Sequence, residues 1–178
     1  MSHKTHSQDD DSLSGKFFEI VDFTSRNGQT VSCAKRRSAL IAFGKIEIYA
    51  MGKVRKHDQE KLISLQRMKQ TKRKMYDANP KNEATLRKLK ILRHNYERSQ
   101  EMWKSVQKVE MTDSRQDINK IIDHLLDIGN QVTQKTRKDY PSQMKAPKGL
   151  LRILSTWAIL SDGTKYLSTL KLIPKEST

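Results

Sequence analysis

Residues 53–108 decide the fold, and their sequence is KVRKHDQEKLISLQRMKQTKRKMYDANPKNEATLRKLKILRHNYERSQEMWKSVQK. This stretch contains 17 Lys/Arg and 6 Asp/Glu, a net charge of +11, whereas the whole 178-residue chain carries +15. Its pattern is helical and is interrupted once, at Asp77-Ala78-Asn79-Pro80. Two helices joined by a short connection are natural antiparallel neighbours. The stretch therefore predicts a cationic helical hairpin that the rest of the chain supports.

The first predicted helix covers residues 57–76. Its apolar side chains fall on one side, and cations occupy the remainder of the surface. The apolar residues are Leu62, Leu65, Met68, Met75 and Tyr76. The densest cluster of cations is formed by Lys69, Lys72, Arg73 and Lys74. Because the apolar stripe is narrow, most of this helix is expected to stay in water.

The second predicted helix begins at residues 79–80. The Asn79 side chain can cap it, and Pro80 suits its first position because a missing N–H costs nothing there. Six later residues follow one another at alternating steps of three and four: Leu89, Leu92, Tyr96, Ser99, Trp103 and Val106. This spacing is typical of a heptad seam with one polar position. The seam is expected to pair either with the neighbouring helix or with another chain.

The N-terminal region contains a polar tail followed by a predicted β-hairpin. Residues 1–14 include three adjacent aspartates and have no apolar periodicity, which predicts a disordered acidic tail. Residues 16–23 are rich in aromatic and β-branched side chains and predict a strand, and residues 29–33 predict its return partner. Between them, Asn27-Gly28 is a strong hairpin signal because both residues tolerate positive φ.

Residues 38–51 are predicted to be buried, but their secondary structure stays open. Residues 39–43 fit a helix, and residues 46–49, after Gly44, fit an extended segment. Short apolar runs of this kind cannot be assigned from periodicity alone.

A third predicted helix follows the hairpin. Thr112-Asp113 with Gln116 resembles a capping box, and it precedes a wide apolar face that is typical of a core helix. That face comprises Ile118, Ile121, Ile122, Leu125, Ile128 and Val132.

The C-terminal region predicts a loop and then a second hairpin. Residues 134–149 are rich in Pro, Lys and Ser and predict the loop. Residues 150–160 and 166–173 flank an Asp-Gly turn at 162–163 and predict two strands, although residues 150–157 also fit a short helix.

These segments together predict an α+β fold. We expect a single domain over residues 15–178. Within it, residues 15–52 are strand-rich, residues 53–138 are helical, and residues 150–174 form strand-turn-strand.

Composition excludes several classes of protein. A single cysteine, Cys33, allows no internal disulfide and fits a reducing compartment. The first residues lack the apolar segment of a secretory signal, and no run approaches 18 apolar residues. These features predict an intracellular, cytoplasmic protein.

No motif predicts catalysis. The chain has no Gly-rich phosphate loop, no His-Glu-x-x-His and no Gly-x-Ser-x-Gly. Cys33 precedes three cations, which would favour a thiolate, but no partner histidine is identified for it. We therefore expect no catalytic residue, no metal, no cofactor and no small-molecule substrate.

The basic excess is the main functional signal. A sequence pI of about 9.9 favours a polyanionic partner, and +11 on adjacent helices creates repulsion that an anion would relieve. Neither zinc-finger spacing nor an aromatic RNA-recognition motif is present, so sequence-tolerant phosphate contact is expected. The predicted nucleic-acid-binding residues are Lys35, Arg36, Arg37, Lys69, Lys72, Arg73, Lys74, Arg87, Lys88, Lys90 and Arg93.

Four other interpretations of the same charge and seam stay open. The cations can be a solvated helix face, or they can make peripheral contact with an anionic membrane. Residues 69–74 also fit a nuclear import signal. Finally, the seam predicts self-association, or an interaction module of an RNA-associated complex. Its residues are Leu89, Leu92, Tyr96, Trp103 and Val106.

Parts of the chain resemble a protein family. The segment KFFEIV at 16–21, then Thr24, Arg26 and Asn27, and later YAMGK at 49–53, resemble rhabdovirus matrix proteins. The size, the charge and the C-terminal strand-turn-strand are similar to its plant-infecting, cytorhabdovirus-like members. The resemblance implies a non-enzymatic structural protein that condenses the viral ribonucleoprotein, self-associates and contacts membrane. It also implies a place in the virion and favours RNA over DNA.

Overall fold

The structure is a computed structural model that describes residues 18–133 and 140–175. It has the predicted α+β fold, with helices and a six-stranded sheet. The predicted acidic tail, residues 1–14, and residues 134–139 of the predicted loop lie outside the described residues. The elements in chain order are β1 (Glu19–Thr24), β2 (Thr30–Arg36), β3 (Ala39–Ala42), a π-helix (Lys45–Ala50), α1 (Gln59–Thr71), α2 (Arg73–Asp77), α3 (Lys81–Lys108), α4 (Arg115–Gln131), β4 (Tyr140–Lys145), β5 (Leu150–Ile159) and β6 (Lys165–Lys175).

One mixed sheet contains the strands from both ends of the chain. Its strand order is β1-β2-β3-β6-β5-β4. Neighbouring strands are antiparallel except β3 and β6, which pair in parallel at Ala39–Lys165 and Leu40–Tyr166. This parallel pair joins the N-terminal strands to the C-terminal ones, and β1 and β4 form the two edges.

Both predicted hairpins are confirmed, but their turns differ from the expected geometry. In the first, Gly28 N–H donates to Ser25 O and Ser25 N–H donates to Gln29 O, each at 2.9 Å. Gly28 has a φ of 78°, whereas Asn27 has a negative φ. The turn is therefore a type I turn closed by a left-handed glycine. Residues 160–164 repeat this arrangement around Gly163.

Residues 38–51 form both a strand and a helix, in the reverse of the order considered. β3 occupies residues 39–42 and is buried throughout, because it lies between β2 and β6 in the sheet. The π-helix then buries Ile46 and Ala50 and leaves Ile48 half exposed. A central strand that is buried on both faces has a continuous apolar sequence, which the pattern does not separate from a buried helix.

The loop predicted over residues 134–149 is wrong for residues 140–145. These residues form β4, which pairs with β5 from Tyr140–Ser155 to Lys145–Leu150. Pro141 is tolerated because β4 is an edge strand, where one side of the backbone has no partner strand. The alternative of a short helix over residues 150–157 is also wrong, since they belong to β5.

The helical hairpin is confirmed, with its connection at residues 78–80, but the prediction of one helix over residues 57–76 is wrong because two helices occupy this stretch. α1 and α2 are separated at Lys72, whose backbone (φ −135°, ψ 53°) is not helical. Asn79 Oδ1 accepts a hydrogen bond from Lys81 N–H at 3.0 Å, which confirms the predicted cap of α3. Met75 is 61 % exposed, so its placement on the apolar stripe is wrong.

α4 is the predicted core helix, but its cap differs from the prediction. Ser114 Oγ accepts from Asp117 N–H at 3.2 Å. Asp117 Oδ2 accepts in turn from the N–H and hydroxyl of Thr112, at 2.8 and 2.9 Å. The capping box predicted from Thr112, Asp113 and Gln116 is therefore wrong in register, because the side chain that turns back is Asp117.

The chain buries two separate cores that matter for the candidate site. The main core lies between the sheet, α4, the π-helix and the C-terminal half of α3. The second core lies inside the hairpin and consists of Leu62, Leu65, Tyr76, Leu86 and Leu89, with Met68 packed against it. Only the C-terminal half of α3 joins the main core, so α1, α2 and the N-terminal half of α3 form a unit of their own.

Candidate nucleic-acid interface

Five of the predicted phosphate-binding cations stand free on the hairpin. All five side chains are exposed, and none forms an ion pair within the described residues. They are Lys72, Lys74, Arg87, Lys88 and Lys90. An exposed cation without an anionic partner keeps its full attraction for an external phosphate.

Lys72 and Lys74 lie at the break between α1 and α2. Lys72 is the non-helical residue, and Lys74 lies in the short helix that follows it. Both cations are exposed next to the C-terminal end of α1. Beside them, the residues of α1 and α2 line an open groove of about 770 Å³ whose apolar members are Ile63, Met68 and Met75.

Lys69 is held by a network that closes the hairpin. Its Nζ donates to Glu83 Oε2 at 2.8 Å, and the Tyr76 hydroxyl donates to the same oxygen at 2.7 Å. Hydrogen bonds from Lys69 and Tyr76 keep the pKa of Glu83 below its usual value. Burial, followed by the hydrogen bond to Glu83, raises the pKa of Tyr76 to about 12. Lys69 therefore links α1 to α3, and its ammonium group already has an acidic partner.

Arg73 and Arg93 also have acidic partners within their own helices. Arg73 Nε lies 2.9 Å from Asp77 Oδ2, and Arg93 Nε lies 3.5 Å from Glu97 Oε1, both at i,i+4 spacing. Exposed pairs of this kind contribute little to stability and open easily. The hydrogen bond from Arg73 to Asp77 raises the pKa of Arg73.

The cluster at residues 35–37 is divided by the fold. Arg36 turns towards α4, where its guanidinium contacts Asp123 Oδ1 at 2.5 Å and Asp127 Oδ1 at 3.2 Å, and its side chain is only 12 % exposed. This geometry makes Arg36 a link between β2 and α4. Its assignment to a phosphate site stays a prediction, and this geometry does not favour it, because its guanidinium already pairs with two aspartates.

The two neighbours of Arg36 have different environments. Arg37 is exposed in the turn between β2 and β3 and has a φ of 52°, which is uncommon for a bulky residue. The following residue stabilises this turn, since Ser38 N–H and its hydroxyl both contact Asn130 Oδ1 at 3.2 Å. Lys35 lies on the opposite face of the sheet from Arg36. Residues 35–37 therefore do not extend the hairpin surface.

The predicted seam is used largely within the chain. Leu89 belongs to the hairpin core, and Val106 belongs to the main core. Trp103 is half-buried against the main core, and Tyr96 is also half-buried. Leu92 is the most accessible member, at 37 % exposure. The regular spacing therefore records contacts of α3 with two successive parts of its own chain.

Cys33 lies on the face of the sheet opposite α4, buried against Leu40 and Ala42. Burial, and secondarily the charge of Asp22, raises the pKa of its thiol to about 11. A neutral, buried thiol behaves as a small apolar side chain, and neighbouring cations do not activate it.

One basic surface was missed by sequence reasoning. Strands β4, β5 and β6 contain no aspartate or glutamate, and four cations project from the face that points away from α4. They are Lys145, Arg152, Lys171 and Lys175. The available signal was alternation within each strand, but their grouping depends on strand pairing and could not be obtained without the sheet order.

Two general features complete the description of the site. Among the residues that the structure describes, no helix is long and apolar enough to cross a membrane. Within the same residues, no group of His, Cys, Asp and Glu is arranged to hold a metal ion.

No protein-family model matches the chain, and no curated protein matches its sequence.

Proposed function

We propose that this chain is a non-enzymatic structural protein that binds nucleic acid, or a ribonucleoprotein, through phosphate contacts of its helical hairpin. One observation carries the proposal: five exposed cations of the hairpin have no acidic partner within the described residues. Folding does not need them there, because the hairpin is held together by its apolar core and by the Lys69–Glu83 pair at its surface. An external polyanion would relieve their mutual repulsion.

The same surface favours recognition without base reading. The unpaired hairpin cations are exposed, whereas Tyr76 is buried inside the hairpin and Tyr96 and Trp103 are half-buried. Bases therefore find no fully exposed aromatic ring among these three residues, whereas phosphates find several point charges. We expect similar affinities for unrelated sequences and a steep dependence on salt concentration.

The resemblance to rhabdovirus matrix proteins supports a more specific version of this role. Such a protein would condense viral ribonucleoprotein in the cytoplasm, enter the virion and contact membrane, and its ligand would be RNA rather than DNA. The basic cluster at residues 69–74 would also allow nuclear entry.

A matched pair of double variants tests the hairpin assignment. Lys72→Gln/Lys74→Gln removes two unpaired cations, and Lys69→Gln/Arg73→Gln removes two cations that already have acidic partners. Both variants lower the net charge equally. We expect the first to reduce the slope of log K against log salt for duplex RNA by about 2, and the second to reduce it less. An unchanged slope for Lys72→Gln/Lys74→Gln would contradict the proposal.

A second candidate function, a protein-interaction module, is favoured by the apolar groove on α1 and α2. Ile63 and Met75 are 52 % and 61 % exposed there, and the charged residues of the lining are two cations, Arg67 and Lys72, and one acid, Glu60. This combination fits an acidic segment with apolar side chains. Light scattering of the wild type and of Ile63→Gln/Met75→Gln tests whether that partner is a second copy of the chain. A mass that does not change with concentration in either protein would reject self-association through this groove.

A further inference from the structure

The second basic surface has a regular layout on the sheet. Its centre is Arg152 on β5, and its other members lie on β4 and β6. Lys145 and Lys175 both align with Leu150, and Lys171 aligns with Leu154. Each of the three lysines is therefore one strand and two residues away from Arg152, about 8 Å between Cα atoms. Three lysines therefore surround Arg152, and none of the three strands contains an acidic residue.

These four cations are not engaged by the fold. All four are exposed, and none has an ion pair among residues 18–133 and 140–175. The apolar side chains between them, Leu150, Leu154 and Ile173, are only partly exposed. The face thus presents positive charge on its outside and aliphatic carbon between the charges.

The exposure pattern favours a phosphate backbone over a lipid surface. A membrane-binding face needs large apolar side chains that protrude beside its cations. The large apolar residues that do protrude are all elsewhere in the described chain: Ile20, Ile48, Ile63, Met75, Ile91 and Leu92. The rows around Arg152 also carry no aromatic side chain, so unstacked bases have nothing to stack on. Contact with the backbone of a duplex remains the best match.

A groove connects this face to the hairpin. α3 passes beside β6, and Arg98 donates from Nη2 to Leu170 O at 3.2 Å. His94, Arg98 and Glu101 of α3 and residues 170–172 of β6 line a groove of about 320 Å³. Glu101 is the acidic residue in this lining.

The α3 side of the groove continues into the hairpin surface. Arg87, Lys90, His94 and Arg98 follow at steps of three, four and four, so they lie along one side of α3. They span about 16 Å of helix. Arg87, Lys90 and Arg98 therefore lead from the hairpin to Lys171 and onto the sheet.

We propose that the outer face of β4, β5 and β6 is a second contact surface for the same nucleic acid, so that a bound duplex passes from the hairpin along the groove between α3 and β6 onto the sheet. This inference rests on the proposed function and enlarges the surface that contacts the nucleic acid. It assigns a binding role to Lys145, Arg152, Lys171 and Lys175.

The experiment compares three double variants that each remove two positive charges. Arg152→Gln/Lys171→Gln tests the sheet, Arg87→Gln/Lys90→Gln tests the hairpin, and Lys104→Gln/Lys108→Gln is the control near the C-terminal end of α3. Binding of each full-length protein to a 24-base-pair RNA duplex is measured across a range of salt concentrations. Thermal unfolding, followed by circular dichroism, shows whether each variant is folded.

We expect the sheet and hairpin variants each to reduce the salt slope by about 2 and the control to leave it unchanged. A reduced slope for the hairpin variant but not for the sheet variant would overturn the sheet assignment and leave the proposed function intact. Unchanged slopes for both would overturn the proposed function as well.

Two further arms keep the test decisive. If Arg152→Gln/Lys171→Gln does not fold, Lys145→Gln/Lys175→Gln takes its place with the same expected result. Vesicles that contain phosphatidylserine are titrated in parallel. Loss of vesicle binding by the sheet variant, with an unchanged slope for RNA, would show that the face contacts lipid and would overturn the inference.

Discussion

Arg36, beside the main core, and Arg87, on the helical hairpin, have opposite environments. Arg36 is a largely buried link in the body of the molecule, held between Asp123 and Asp127 of α4. Arg87, on the hairpin, is exposed and has no acidic partner within the described residues. The difference shows that a basic residue close to a core can be a structural component, whereas Arg87 and four other hairpin cations have no acidic partner in the part of the chain that the structure describes. The unpaired cations are therefore better candidates for ligand binding than the paired ones.

The two regions also differ in how they are held together. The main core contains residues from the sheet, α4, the π-helix and α3, whereas the hairpin core joins only α1, α2 and α3. The hairpin core is small and local, and its loss need not disrupt the sheet. A substitution in the main core is therefore expected to destabilise the whole fold, whereas one in the hairpin core is expected to destabilise mainly the hairpin.

Damage to the main core is expected to have the largest effect. Trp157 is 1 % exposed, packs against Gly129 of α4 and donates from Nε1 to Ser155 Oγ at 3.0 Å. Trp157→Ala is expected to lower the free energy of unfolding by about 3–5 kcal/mol, because a large cavity remains. Urea unfolding followed by far-UV circular dichroism measures this loss. A loss below about 1 kcal/mol would show that Trp157 is not central to the core.

Damage to the hairpin core is expected to be more local. Leu86 is 2 % exposed within that core, and Leu86→Ala is expected to cost about 2–4 kcal/mol. Because both tryptophans lie on the side of the main core, their fluorescence should keep its native midpoint while the helical signal is lost earlier. Coincident transitions by the two probes would contradict the separation of the two cores.

Replacement of each of the two arginines by alanine tests the comparison directly. Arg36→Ala removes the partner that Asp123 and Asp127 share, and it is expected to cost about 2 kcal/mol of stability. Arg87→Ala is expected to change stability by less than about 0.5 kcal/mol. In RNA binding the order should reverse, with a loss for Arg87→Ala and little direct effect for Arg36→Ala in protein that is still folded. The opposite order in either assay would break the comparison.

The smallest expected effect concerns the cap of α4 and its dependence on pH. Burial raises the pKa of Asp117, but hydrogen bonds from Thr112 and Lys120 outweigh it and lower that pKa below 3.8. A lowered pKa in the folded state means that the carboxylate stabilises the fold above pH 3.8 and loses this contribution as the pH falls through the folded value. Asp117→Ala should cost about 1 kcal/mol at neutral pH.

Urea unfolding at two pH values checks this cap. The difference between Asp117→Ala and the wild type should shrink when the pH is well below 3.8, because the carboxyl is then protonated in both the folded and the unfolded chain. A difference that stays constant with pH would show that the cap does not depend on the charge of Asp117.

Local sequence signals were sufficient for the elements that local forces specify. The two hairpin turns, the break at residues 78–80 and the apolar face of α4 were predicted, because turn glycines, a cap and helical periodicity act within a few residues. β4 and β3 were not predicted as strands. β4 is an edge strand that contains Pro141, and β3 is buried on both faces, so both are defined by the strands that pair with them.

The candidate site shows the same limit. The charge of the hairpin was visible in the sequence, because the cations are close together in it. The partners of Arg36 are 87 and 91 residues away, and no local pattern indicates them. The cations around Arg152 come from three strands, so their grouping appears only when those strands are paired.

The most direct test of the proposed hairpin surface is the salt dependence of RNA binding when its unpaired cations are removed together. Lys72, Lys74, Arg87 and Lys90 are changed to Gln in the full chain, and the slope of log K against log salt is compared with that of the wild type. We expect the slope to fall by about 4 and the loss of affinity to be similar for unrelated RNA sequences. An unchanged slope in a correctly folded variant would contradict the assignment of the hairpin to phosphate binding.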